Sequence, residues 1–176
     1  MPPEYETSRG RGGHFLARAR DALPSPFILI SGALFWGCAM ALSLYAGLEV
    51  MMGGFTSHRT ALIALYFAGG TIAFPMALYT ARFLGLRRPA EVRFASAFVC
   101  LIVATIACTS GLYAIIYWNF YASWAGDFLS IAWAYQLAFT TASALFQFAV
   151  IGLRYFLPVG LVCLIATSFW IAKRMR

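Results

Sequence analysis

The sequence predicts an all-α integral membrane protein, folded as a polytopic helical bundle. Hydrophobic residues make up 62% of the 176 residues and charged residues only 11%, whereas roughly a quarter of the residues in soluble domains are charged. Between Pro26 and Ala172 the apolar residues continue with only short breaks, most of them marked by arginine. A soluble domain of this size could not hide so much apolar surface, because most of its folded surface must face water.

Residues 1–22 differ in composition from the rest of the chain. They are polar and rich in glycine and arginine, and no A-x-A-like cleavage site follows a short apolar core. A secretory signal peptide needs both a short apolar core and a cleavage site after it. We therefore expect residues 1–22 to be a basic, largely flexible tail that is retained, and residues 23–176 to form the membrane-embedded bundle.

Three apolar blocks in the first two thirds of the chain predict membrane crossings. They cover residues 26–52, 60–86 and 94–117, and each exceeds the roughly 20 residues that a helix needs to cross the hydrocarbon. The third block runs into the aromatic sequence YWNFYASW, which is typical of side chains at a membrane–water interface.

The last apolar stretch, residues 128–172, allows two interpretations. As one straight helix it would measure about 67 Å, twice the membrane thickness. Two crossings would place the basic C-terminus outside the cell, against the positive-inside rule. One crossing over residues 147–172 places it inside and leaves residues 128–146 as an interfacial or re-entrant helix. The sequence favours four transmembrane helices, with five as the alternative.

The distribution of basic residues predicts the orientation and the membrane. Arginines cluster in the tail and in the second link, whereas the first link carries only His58 and Arg59. The positive-inside rule then makes both termini cytoplasmic. With a net charge of +7 at block ends, we expect anionic lipid headgroups as partners and no nucleic acid. The arginine-rich, lysine-poor composition suggests a bacterial inner (plasma) membrane.

Small residues at four-residue spacing predict a helix-packing face in the second block. Gly69, Ala73 and Ala77 share one side of this helix. Helices in lipid associate through close backbone approach, which such side chains permit. The face could serve packing within the chain or contact with a partner, and the sequence leaves both open.

Two charges within apolar sequence form the most specific candidate site. Glu49 lies near the outer end of the first block, and Arg154 reaches a similar depth when the chain crosses four times. An ion pair between them would offset part of the cost of placing each charge in the membrane. A proton or solute path is the less favoured interpretation of the same pair.

Polar residues also give the last stretch a hydrophilic side. Gln136 and Gln147 are its longest uncharged polar side chains. They are candidates for the lining of a groove, although hydrogen bonds between helices are the commoner use of such residues in membranes.

Residues that could support catalysis or bind a cofactor do not cluster in the sequence. The four cysteines lie within apolar blocks and form no C-x-x-C pair. The two histidines, His14 and His58, fall on opposite sides of the membrane in the predicted topology, and the carboxylates are scattered singly. We therefore expect no enzyme activity, no cofactor and no bound metal.

These observations favour a small accessory or assembly subunit of a larger membrane complex. The alternative is a small transporter or channel component that builds a path by oligomerisation. The expected protein partner is accordingly another membrane protein or a second copy of the chain.

Overall fold

The computed structural model describes residues 22–52, 58–121, 129–157 and 159–175. In these ranges the chain forms five α-helices and one 3₁₀ segment, without a β-strand, and this confirms the predicted all-α class. The elements in order are α1 Pro26–Met52, α2 Arg59–Gly85, α3 Ala90–Tyr121, α4 Ile131–Val150, the 3₁₀ segment Gly152–Phe156 and α5 Val159–Arg174.

The first three helices are long and apolar enough to cross a membrane. They contain 27, 27 and 32 residues, which correspond to about 40 Å or more at 1.5 Å per residue. The hydrocarbon core of a bilayer is only about 30 Å thick. The chain is thus a multi-pass integral membrane protein.

The turn between α2 and α3 is shorter than the sequence pattern indicates. The third block was expected over residues 94–117, but α3 begins at Ala90 and continues to Tyr121. Proline suits a position at a helix start because it needs no backbone donor there, and the N–H of Arg93 donates to the carbonyl of Pro89 at 3.1 Å. Arg87 adopts a left-handed φ of 62° at the reversal.

The last stretch is not one continuous helix over the predicted crossing, residues 147–172. Helix α4 continues past residue 146 to Val150, the 3₁₀ segment follows, and α5 begins only at Val159. The 16 residues of α5 span about 24 Å, less than the hydrocarbon thickness. The sequence explains the interruption, because Gly152 disfavours a helix interior and Pro158 cannot donate a helical hydrogen bond.

Helix α2 packs closely against both α1 and α3. A Cβ atom added to Gly70 of α2 would lie 3.1 Å from the Cα atom of Gly37 in α1, so the two backbones approach closely at this crossing. The indole Nε1 of Trp36 in α1 donates a buried hydrogen bond of 3.0 Å to Thr105 Oγ1 in α3. These contacts form the framework on which the last stretch is placed.

The end of α5 returns to the end of the bundle where α1 begins. Met175 Sδ lies 3.0 Å from the position of a Cβ atom on Gly85, at the end of α2. Ile28 of α1 and Ile171 of α5 line a common cavity there. We call this the basic end, because six described basic residues lie in or next to the terminal turns there: Arg82, Arg87, Arg88, Arg93, Lys173 and Arg174.

Candidate functional site: a helix break held by two side chains

The interruption between α4 and α5 lies at membrane depth. We call residues 151–157 the helix break. Its neighbour on α1 is Ser43, which precedes Met52 by nine residues and so lies about 14 Å from the end of that helix. Backbone polar groups that leave a helix in this environment need partners within the protein, because lipid supplies none.

Ser43 satisfies two backbone groups, one within the break and one just after it. Its hydroxyl donates to the carbonyl oxygen of Tyr155 at 2.8 Å and accepts from the N–H of Gly160 at 2.9 Å. A 3₁₀ turn would pair the Tyr155 carbonyl with residue 158, which is a proline without an N–H. Gly160 lies in the first turn of α5, where backbone donors lack helical partners. Ser43 therefore acts on α5 as an N-cap side chain does, but from another helix.

Tyr66 of α2 satisfies a third backbone group of the break. Its hydroxyl donates to the carbonyl oxygen of Gly152 at 2.7 Å, and its ring packs against Phe156 and Phe148 with centroid distances of 5.1 and 6.2 Å. Both side chains are buried, Ser43 at 1% and Tyr66 at 2% exposure. Together they form what we call the brace: Ser43 and Tyr66.

Two glycines allow the break to approach α1. A Cβ atom on Gly47 would lie 2.8 Å from the ring of Tyr155, and one on Gly160 would lie 3.1 Å from Ser43 Oγ. The first distance is shorter than side-chain carbon atoms tolerate, so a larger residue at position 47 would push the break away from the brace.

The predicted pair of Glu49 and Arg154 does not form. The carboxylate of Glu49 instead pairs with Arg59 of α2, whose guanidinium also lies 4.6 Å above the ring of Tyr45. Arg59 begins α2 just across the first link from Glu49, so the chain brings the two charges together locally. Arg154 is exposed in the 3₁₀ segment, and the described residues offer it no ion pair.

The small-residue face of α2 is fully inside the bundle. Ala73 and Ala77 have no exposed surface, and Gly69 lies against α3, where a Cβ atom would overlap Thr109 and come within 2.9 Å of its Cα atom. The face serves packing between α2 and α3 of this chain, one of the two uses that the sequence leaves open.

The two glutamines lie on the same side of α4 but not in one cavity. Gln147 Oε1 accepts a hydrogen bond of 3.1 Å from the hydroxyl of Tyr113, and the residue lines a cavity of about 190 Å³ beside Tyr66. Gln136 is exposed, three helical turns away along α4, and does not line that cavity. Of the two glutamines predicted to form a polar lining, Gln147 lines this cavity and Gln136 does not.

Ser43 and Tyr66 were not identified as site residues from the sequence. Ser43 is one of several small residues in the first block, and Tyr66 one of nine tyrosines. The available signal was the pair Gly152 and Pro158, which predicts backbone groups in need of partners but does not say which side chains supply them.

The hydrogen bonds of the brace go to the chain's own backbone. The described ranges contain no group of three or more histidine, cysteine or acidic residues that could hold a metal ion. No protein-family model, curated protein or solved structure matches the chain.

Proposed function

We propose that the chain is a non-enzymatic accessory or assembly subunit of a larger complex in a bacterial inner membrane. The observation that carries this proposal is the use of its buried polar groups. Ser43 and Tyr66 hydrogen-bond to the chain's own backbone, and Trp36 bonds to Thr105. Such bonds fix the positions of helices, which is the task of a scaffold.

The surface of α4 supports the same proposal. Among the described residues only its C-terminal part is buried, at Ala144 and Phe148. Its aromatic side chains Tyr135, Phe139 and Phe146 share one face and are 64 to 70% exposed. Aromatic residues are enriched where proteins meet partners, and a helix attached mainly by one end leaves this face free for another membrane protein.

The charge distribution supports an orientation with both termini in the cytoplasm. Six of the eight described basic residues lie at the basic end, and the start of α1 and the end of α5 lie there too. The positive-inside rule assigns such an end to the cytoplasm. Reporter fusions at Arg176 and before Pro26 test this: both should report the cytoplasm, and an external report from either would contradict it.

Purification in a mild detergent tests the accessory role. We expect a different membrane protein to co-purify in fixed stoichiometry, and Phe139→Ala to reduce its recovery at least several-fold. The matched control is Phe120→Ala on α3, which removes an equally exposed phenylalanine and should leave recovery unchanged. A pure homo-oligomer that moves ions in liposomes would contradict the proposal.

The helix break favours a second candidate, a transporter or channel component formed by oligomerisation. Interrupted helices at membrane depth form the ion and substrate sites of many secondary transporters, and the exposed Arg154 lies within this break. Flux into liposomes that is abolished by Arg154→Gln but kept by Arg88→Gln would support it. Absence of flux from the wild-type protein would reject it.

A further inference from the structure

A crevice with two arginines opens at the basic end of the bundle. It lies between the start of α1 and the ends of α2 and α5, and it has a volume of about 240 Å³. Arg82 and Arg174 supply its positive charge. The other side chains that line it are apolar or aromatic: Ile28, Leu78, Trp170, Ile171 and Met175.

The charges of this crevice are not balanced within the described chain. Arg82 is half-buried in the last turn of α2, and the one ion pair of the described residues is between Glu49 and Arg59, at the opposite end. The guanidinium of Arg174 lies 4.5 Å above the ring of Trp170, which orients it by a cation–π contact. Two arginines beside apolar walls provide the planar donors that bind a phosphate group.

An apolar groove continues from the crevice along the same three helices. It has a volume of about 610 Å³, within the size range of ligand pockets, and lies between α1 and α5 with Phe74 of α2 in its wall. Trp170 lines both the groove and the crevice. Gly32 makes room for Phe74, because a Cβ atom there would overlap the Phe74 ring.

The groove is open along the surface of the helices. Phe35 and Val162 line it and are 63% and 67% exposed, so a long apolar chain could enter from the side. A free phosphate ion would use only the crevice and leave the groove empty. An anionic phospholipid matches both parts, with its phosphate at the arginines and an acyl chain in the groove.

We propose that this chain binds one anionic phospholipid at the basic end, with the phosphate between Arg82 and Arg174 and an acyl chain along the groove between α1 and α5. Basic pockets between transmembrane helices bind anionic headgroups in this manner. The site is independent of the accessory role, since it involves α1, α2 and α5 and not the exposed face of α4.

Native mass spectrometry of the full-length protein from nanodiscs of phosphatidylglycerol or phosphatidylcholine tests the site. We expect one retained phosphatidylglycerol and no retained phosphatidylcholine. Each arginine should contribute roughly fivefold to affinity, so Arg82→Gln with Arg174→Gln should weaken retention about 25-fold. Arg88→Gln is the matched control at the same end and should retain the lipid as the wild type does.

A second pair of variants tests the groove. Ala166→Phe fills it, because Ala166 lines the groove, and should prevent retention. Ile165→Phe adds a ring to the neighbouring exposed residue, outside the groove lining, and should have no effect. Replacement of both arginines by lysine should restore most of the binding that the double glutamine variant loses, because lysine keeps the positive charge.

Four outcomes would overturn the proposal. Equal retention of the two lipids would remove the role of the anionic headgroup. Unchanged retention in the double glutamine variant, or in Ala166→Phe, would show that lipid binds elsewhere. A gain of retention after deletion of residues 1–21 would show that this segment, and not a lipid, occupies the site in the native chain.

Discussion

Replacement of Ser43 by alanine tests the brace most sharply in energetic terms. The change removes one oxygen atom and deprives two buried backbone groups of their partner, the Tyr155 carbonyl and the Gly160 N–H. An unsatisfied buried polar group costs about 1 to 3 kcal/mol, whereas hydrogen bonds between membrane helices average about 0.6 and reach about 1.7 kcal/mol. For two lost bonds we expect a destabilisation of about 2 kcal/mol.

Unfolding in mixed detergent micelles measures this difference. The matched control is Ser31→Ala on the same helix, because the exposed Ser31 hydroxyl bonds, among the described residues, to the carbonyl of Phe27 one turn away. Its loss should cost under about 0.5 kcal/mol, as is usual for surface changes. Equal stability of the two variants would refute the reasoning, since it would mean that the Ser43 hydroxyl does not hold the break.

The same measurement extends to the other half of the brace. Tyr66→Phe keeps the ring between Phe148 and Phe156 and removes only the hydrogen bond to the Gly152 carbonyl. We expect a loss of about 1 kcal/mol for this single bond. Tyr135→Phe, at an exposed tyrosine of α4, should be neutral, and an equal loss there would contradict the role of Tyr66.

Two further predictions concern the packing face and the ion pair. Gly69→Leu should prevent stable packing of α2 on α3, because a Cβ atom there meets the α3 backbone. The control Ile72→Leu, at an exposed position, should leave the melting temperature unchanged. A folded Gly69→Leu variant of wild-type stability would contradict this prediction. In double-mutant cycles on detergent stability, Glu49 should couple only weakly to Arg59 because the pair is partly exposed and should not couple to Arg154. Coupling to Arg154 alone would restore the pair expected from the sequence.

The helical membrane class was predictable because it depends on composition and block length. Helix α1 even matches the predicted block 26–52, since a glycine pair follows it and a proline opens it. The start of α3 was misplaced, because Arg93 lies inside the helix although arginine usually marks a block end. Charge pattern indicates where a chain meets water, but Pro89 determines where the helix begins.

The candidate site was less accessible to sequence reasoning. The pair of Glu49 and Arg154 followed from charge and estimated depth, but the nearer Arg59 takes the carboxylate. The brace depends on contacts between residues that are distant in the sequence. Ser43 and Tyr155 are 112 positions apart, and Tyr66 and Gly152 are 86 positions apart. A single sequence does not show which distant helices become neighbours, and so it could not identify these partners.

The central claim is that α1 holds the helix break between α4 and α5, and a disulfide cross-link tests it most directly. The Cβ atoms of residues 43 and 160 would lie 3.7 Å apart, close to the mean of about 3.8 Å in disulfides. In a variant without the native cysteines, Ser43→Cys with Gly160→Cys should cross-link in native membranes under mild oxidation. Ser31→Cys with Gly160→Cys, about 18 Å farther along α1, should not. Absence of the first cross-link, or equal formation of both, would contradict the account.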